Sequence, residues 1–93
     1  MADGLISPAH EADVRITVYT RVGCHLCTDA LEVVQRVAGE LGVNYSEVDI
    51  DSEPGLVAQF SEYVPVVEVD GVQQGFWRID ETRLRRALAA GKN

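Results

Sequence analysis

Two cysteines, Cys24 and Cys27, stand where a β-branched run gives way to a long helical pattern, and this junction constrains the fold more than any other stretch. Val14-Arg15-Ile16-Thr17-Val18-Tyr19-Thr20 alternates as a strand does, with Ile16 and Val18 pointing one way and Arg15, Thr17 and Tyr19 the other. Arg21-Val22-Gly23 supplies the turn, and Gly23 permits a tight approach to Cys24. From His25 to Leu41 the apolar residues Leu26, Ala30, Leu31, Val33, Val34, Val37, Ala38 and Leu41 recur mainly at spacings of three and four, the period of a helix. A thiol in the first turn of that helix lies beside unpaired backbone N–H groups and the positive end of the macrodipole, and both favour thiolate over thiol. A second thiol three residues on is nearly one helical turn away, close enough for a disulfide across the turn. The chain has no other cysteine.

Downstream, the pattern completes a small mixed domain. Three valines lower the intrinsic propensity of the long helix, so packing must hold it, while Glu32 with Arg36 and Arg36 with Glu40 read as i,i+4 pairs on its outer face. Gly42 is a natural stop. Val43 to Ile50 reads as a second strand, and Pro54 opens a short helix whose buried stripe is Leu56, Val57 and Phe60. Val64 to Val69 reads as a third strand entered through Pro65, Asp70-Gly71 as a two-residue hairpin turn, and Val72 to Trp77 as the return strand. Asp80 caps a last helix with Ile79, Leu84, Ala87 and Leu88 inward, ended by Gly91. The order β-α-β-α-β-β-α implies an α/β domain with a four-stranded mixed sheet flanked by helices, its first βαβ a right-handed parallel crossover. Residues 1–12 read as a flexible tail and 13–91 as one domain.

Charge narrows the function. Fifteen acidic residues against eight basic give a formal net charge of −7, which argues against nucleic acid and anionic membrane surfaces as partners. Arg83, Arg85 and Arg86 form the one basic cluster and read as the wet face of a helix. The first thirteen residues lack the basic and apolar regions of a signal peptide, and no apolar run approaches the ~20 residues that span a bilayer. A cytoplasmic location is the expectation, and in a reducing cytosol a lone cysteine pair is more often catalytic or metal-binding than a structural staple. Zinc usually takes four ligands, and beyond the cysteines only His10 and His25 offer nitrogen, His25 poorly placed inside the motif. No metal site is therefore expected. Asp49 and Asp51 alternate at a strand end and read as solvent-facing or helix-capping carboxylates.

A C-x-x-C at the end of the first strand of a βαβ unit is a thioredoxin-like redox signature. Tyr19-Thr20-Arg21-Val22-Gly23-Cys24-His25-Leu26-Cys27 resembles a glutaredoxin active-site turn, and Val64-Pro65 falls where that family has its cis-proline. The resemblance is nearest to small glutaredoxin-like proteins of poorly defined function and covers roughly Arg15 to Ala89. It implies a thioredoxin-like fold and a catalytic Cys24 whose thiolate attacks a substrate disulfide, with Cys27 resolving the mixed disulfide. His25 reads either as an imidazolium that stabilises the Cys24 thiolate or as a solvent-facing residue of the first turn. Arg21 matches the basic residue that helps hold a glutathione carboxylate, and Val64 with Pro65 would present backbone groups to a bound peptide or glutathione. Where glutaredoxins have a Gly-Gly step before the last helix, this chain reads Gly75-Phe76-Trp77-Arg78-Ile79-Asp80-Glu81. Only Asp80 and Glu81 correspond, and bulky Trp77 and Arg78 replace the small pair, which weighs against glutathione binding. Trp77 reads as an aromatic capping the sheet edge or as a contact for a protein partner.

The expected function is thus thiol–disulfide exchange on protein or glutathione mixed disulfides by a monomer without a bound cofactor. Electrons would come from glutathione or from a thioredoxin-reductase-like flavoenzyme. The rivals are a non-catalytic binding module or adaptor that docks a partner through Trp77 and the Val64 edge, and an iron–sulfur carrier ligating through Cys24, which the intact second cysteine disfavours.

Overall fold

In the computed structural model, which describes residues 14–90, the chain runs β1 (Val14–Thr20), α1 (His25–Leu41), β2 (Asn44–Asp49), a 3-10 turn (Ile50–Ser52), α2 (Pro54–Phe60), β3 (Val66–Val69), β4 (Val72–Phe76) and α3 (Glu81–Ala90). The expected tail at 1–12, His10 and the Gly91 stop lie outside the described residues. Alternation along β1 buries Ile16, Val18 and Thr20 on one face. The sheet has the order β2-β1-β3-β4, with β1 parallel to β2, and β1–β3 and β3–β4 antiparallel. This is the mixed four-stranded sheet expected from the sequence. Among the described residues no helix is long and apolar enough to cross a membrane.

Both faces of the sheet are covered. Ile16, Val18, Val67 and Val69 meet Val34, Val37 and Ala38 of α1 and Leu84 and Leu88 of α3 in the main core. On the other side Ile50, Phe60 and Val66 form a second cluster, flanked by Tyr19, Leu56, Val57 and Val64. The Phe60 ring stacks on Tyr19 with centroids 4.6 Å apart. The hairpin turn has positive φ at both central residues, 53° at Asp70 and 85° at Gly71, the backbone that an Asp-Gly turn favours. Asp70 also holds Arg15 through two hydrogen bonds of 3.1 and 2.7 Å, and Arg15 reaches the Leu88 carbonyl at 3.2 Å. One arginine thereby joins β1, the hairpin and α3.

Several local expectations change. The third strand begins at Val66 instead of Val64, because Pro65 has no N–H to give a ladder; the Val64–Pro65 peptide is cis, as the resemblance implies. The fourth ends at Phe76, since Trp77 takes φ 64° and leaves the pleat. The i,i+4 pairs drawn along α1 are replaced by pairs between helices. Arg36 bonds Glu81, and Glu40 bonds Arg85, which also holds Glu81. Packing of α1 beside α3 brings an opposite charge from the neighbouring helix within reach, and a forked guanidinium makes better use of it. Gly42 ends α1 as expected, at φ 69°, and the N–H groups of Gly42 and Val43 both return to the Ala38 carbonyl.

These ion pairs give stability a pH dependence with a definite sign. Hydrogen bonds from Arg36 and Arg85 hold Glu81 below the usual carboxylate range, and Arg15 does the same for Asp70. A carboxyl with a lowered folded pKa stabilises above its unfolded value of ~4 and loses that contribution as pH falls through the folded one. The melting temperature should therefore decline as pH is taken from ~5 towards ~2, and less steeply in high salt because the pairs are exposed. Thermal unfolding at stepped pH, with and without added salt, checks this; a curve flat to pH 2 would contradict it.

Candidate functional site

The site forms where β1 turns into α1. Gly23 takes φ 82°, and the Cys24 N–H closes onto the Arg21 carbonyl at 3.3 Å. Cys24 is the N-cap of α1 and keeps extended backbone angles, φ −97° and ψ 112°. Its sulfur accepts the Cys27 backbone N–H at 3.2 Å. Serine and aspartate oxygens usually do this work at helix starts; here a thiol does. The sulfur therefore faces a backbone N–H at the positive end of the helix.

The two thiols are reduced and differ in setting. Cys24 is part-exposed, whereas Cys27 is 3% exposed. Burial foremost, then the hydrogen bond with Cys24 and the negative charge at Cys24 and Glu47, push the Cys27 thiol up to about 12 against a lowering backbone bond at Arg21. The pair is divided into one accessible sulfur and one that stays protonated.

A hollow of about 340 Å³ opens over the pair, lined by Arg21, Cys24, His25, Cys27 and Glu47 among others. His25 is exposed on its rim. The Thr20 hydroxyl donates to Glu47 Oε2 at 2.8 Å, fixing that carboxylate beside the dithiol. Arg21 is bonded twice to Asp51, Nε to Oδ2 at 3.2 Å and Nη2 to Oδ1 at 3.0 Å. The Asp49 carboxylate accepts the Asp51 N–H at 2.9 Å and so caps the 3-10 turn instead of a following α-helix. Among the described residues no three His, Cys, Asp or Glu side chains are grouped as a metal would require.

Val64 and Pro65 reach the same end of the sheet by register, since Tyr19 lies opposite Val66. The Pro65 carbonyl accepts the Trp77 backbone N–H at 3.0 Å, and the indole Nε1 donates to the Glu62 carbonyl at 2.9 Å. Trp77 thereby ties the end of β4 to the loop that carries the cis-proline. Its ring stays half exposed and shares a neighbouring hollow of about 120 Å³ with Leu26, which lies between the cysteines. Phe76 packs edge-on against Trp77 at 5.0 Å and against Tyr63 at 5.5 Å, so exposed aromatic surface runs outward from the motif. Asp80 is engaged elsewhere, its Oδ1 accepting the Thr82 and Arg83 N–H groups at 2.9 and 3.3 Å as the cap of α3.

The sequence does not place Glu47 and Asp51 at this site. Their signal was indirect: a parallel β1–β2 pair sets the end of β2 beside the end of β1, with Thr20 opposite Asp49.

Residues 15–89 match the family model described as a glutaredoxin-like domain (DUF836). An uncharacterised protein of Mycobacterium tuberculosis is 35% identical over 80 residues, 81% of this chain and 82% of that protein. Among solved structures, protein XcR50 from X. campestris superposes with a TM-score of 0.67 at 31% identity, covering 82% of this chain and 97% of that one. A thioredoxin from Fasciola hepatica gives a TM-score of 0.60 at 24% identity, covering 96% of this chain and 92% of that one, and shows the thioredoxin-like fold.

Proposed function

Because the chain belongs to the glutaredoxin-like (DUF836) domain family, we propose that its Cys24–Cys27 pair is the working dithiol of a thiol–disulfide oxidoreductase acting on disulfide-containing proteins. The observation that carries the reading is the Cys24 sulfur at the start of α1, accepting the Cys27 N–H at 3.2 Å beside a buried second thiol. Cys24 thiolate attacks one sulfur of a substrate disulfide, forming a mixed disulfide and expelling the other sulfur as thiolate. Cys27 gives up its proton to the substrate thiolate just expelled and attacks the Cys24 sulfur. The second substrate thiolate leaves; the substrate disulfide has gained two electrons, and the Cys24–Cys27 pair, now a disulfide, has lost them. Glutathione or a thioredoxin-reductase-like flavoenzyme in a reducing compartment returns the pair to dithiol. Trp77 and Arg78 in place of a Gly-Gly step favour the flavoenzyme.

The aromatic surface of Tyr63, Phe76 and Trp77 supports a protein as substrate, since a folded partner can cover it while presenting its disulfide to Cys24. It also favours the second reading, a module that docks a partner without turnover.

Trapping separates the two. Cys27→Ala should accumulate a mixed disulfide with a disulfide-bonded protein substrate, visible on non-reducing electrophoresis and released by dithiothreitol, whereas Cys24→Ala should form none. A partner that binds both variants equally and is never covalently held would leave the docking module in place of the enzyme.

A further inference from the structure

The arginine of the active-site turn is already occupied. Arg21 lies three residues before Cys24 and lines the same hollow as both thiols. Its guanidinium is forked onto Asp51, and Asp51 is itself set by its backbone bond to Asp49 within the 3-10 turn. Parallel pairing of β1 with β2, up to Thr20 opposite Asp49, brings the two chain segments together. The carboxylate is thus placed at the cation by the backbone. Both side chains remain about two-fifths exposed, 39% and 44%, so a solute can reach the pair. Glu47 puts a second carboxylate on the wall of the hollow.

A disulfide that carries its own carboxylate beside the sulfur gains little from Arg21. It must displace Asp51, exchanging one carboxylate for another at an exposed cation, and it meets the charge of Glu47. A disulfide without such a carboxylate has nothing to displace. We propose that Asp51 is a specificity-determining residue, filling the Arg21 fork from within the chain and turning the Cys24 thiolate towards neutral or cationic disulfides and away from small carboxylate-bearing ones. This rests on the thiol–disulfide reading above.

The test uses two reagents that differ in charge. Iodoacetate and iodoacetamide both alkylate Cys24 with loss of iodide, and the ratio of their rates cancels any change in thiolate fraction. In Asp51→Asn the iodoacetate-to-iodoacetamide ratio should rise by about five-fold, the upper range for an exposed ion pair. In an Arg21→Ala background the same substitution should raise it far less. No rise in the first background overturns the proposal, and so does an equal rise in both, which would make Asp51 merely one more negative charge. Single-turnover reduction of dithiodiglycolate against bis(2-hydroxyethyl) disulfide by the pre-reduced Cys24–Cys27 dithiol, which supplies the two electrons, then gives the second readout, in which the second-order rate for the anionic substrate should rise selectively in Asp51→Asn. If the alkylation ratio responds but the wild-type protein reduces neither disulfide, the redox reading fails, and the disulfide preference with it, while the occupied fork is retained.

Discussion

At pH 8, a limiting amount of iodoacetamide should label the reduced protein at Cys24 and leave Cys27 unmodified. The Cys27 thiol is pushed up to about 12. Four pH units below that, its thiolate is about one part in ten thousand, and only the thiolate alkylates. Access works in the same direction, because Cys27 is 3% exposed and Cys24 is open to the hollow. Mass spectrometry of peptides after a pH series reads both sites at once. Appreciable label on Cys27 at pH 8 would remove the division of labour between the sulfurs. Once Cys24 is tied up in a mixed disulfide, its negative charge is gone, and attack within the molecule proceeds at high effective concentration.

Phe60→Ala should be the most damaging single truncation on the far face of the sheet, costing about 3–5 kcal/mol. α2 has seven residues, too few to persist alone, and Phe60 is its one buried side chain. The ring stacks on Tyr19 and completes the cluster with Ile50 and Val66, next to Val64 and the proline loop. For a domain of this size each kcal/mol moves the midpoint by about 4–8 °C, so melting should fall by at least about 12 °C. Phe60→Leu keeps most of the apolar volume and should lose far less. Circular dichroism on heating measures both. A shift of only a few degrees in Phe60→Ala would mean that α2 is held by something other than this ring.

What could be read from the sequence follows the range of the interactions. β1 and α1 were legible because each repeats a single period, and the Asp70-Gly71 turn because its backbone demands are local to two residues. The dithiol was legible for the same reason, a strand, a glycine and two cysteines in one short run. Arg36 was misassigned because its own helix offers acids at the right spacing, while Glu81, its actual partner, lies 45 residues away. Arg21 and Asp51 are 30 residues apart, and only the parallel pairing of β1 with β2 makes them neighbours. Trp77 reads as an edge aromatic or a partner contact, and what the sequence does not disclose is its left-handed backbone and its two donated hydrogen bonds to the loop of the cis-proline.

The cap at the start of α1 has a wider consequence. The sulfur proposed to exchange electrons also accepts the bond that begins the helix. That bond is worth more to an anion than to a neutral thiol or to a sulfur already joined to another. By reciprocity, whatever strengthens the first turn of α1 favours the electron-rich form of the pair, and whatever frays it favours the electron-poor one. On the proposed function, folding and electron affinity become linked, so a substitution along α1, far from any substrate, should retune the chemistry without touching a reacting atom.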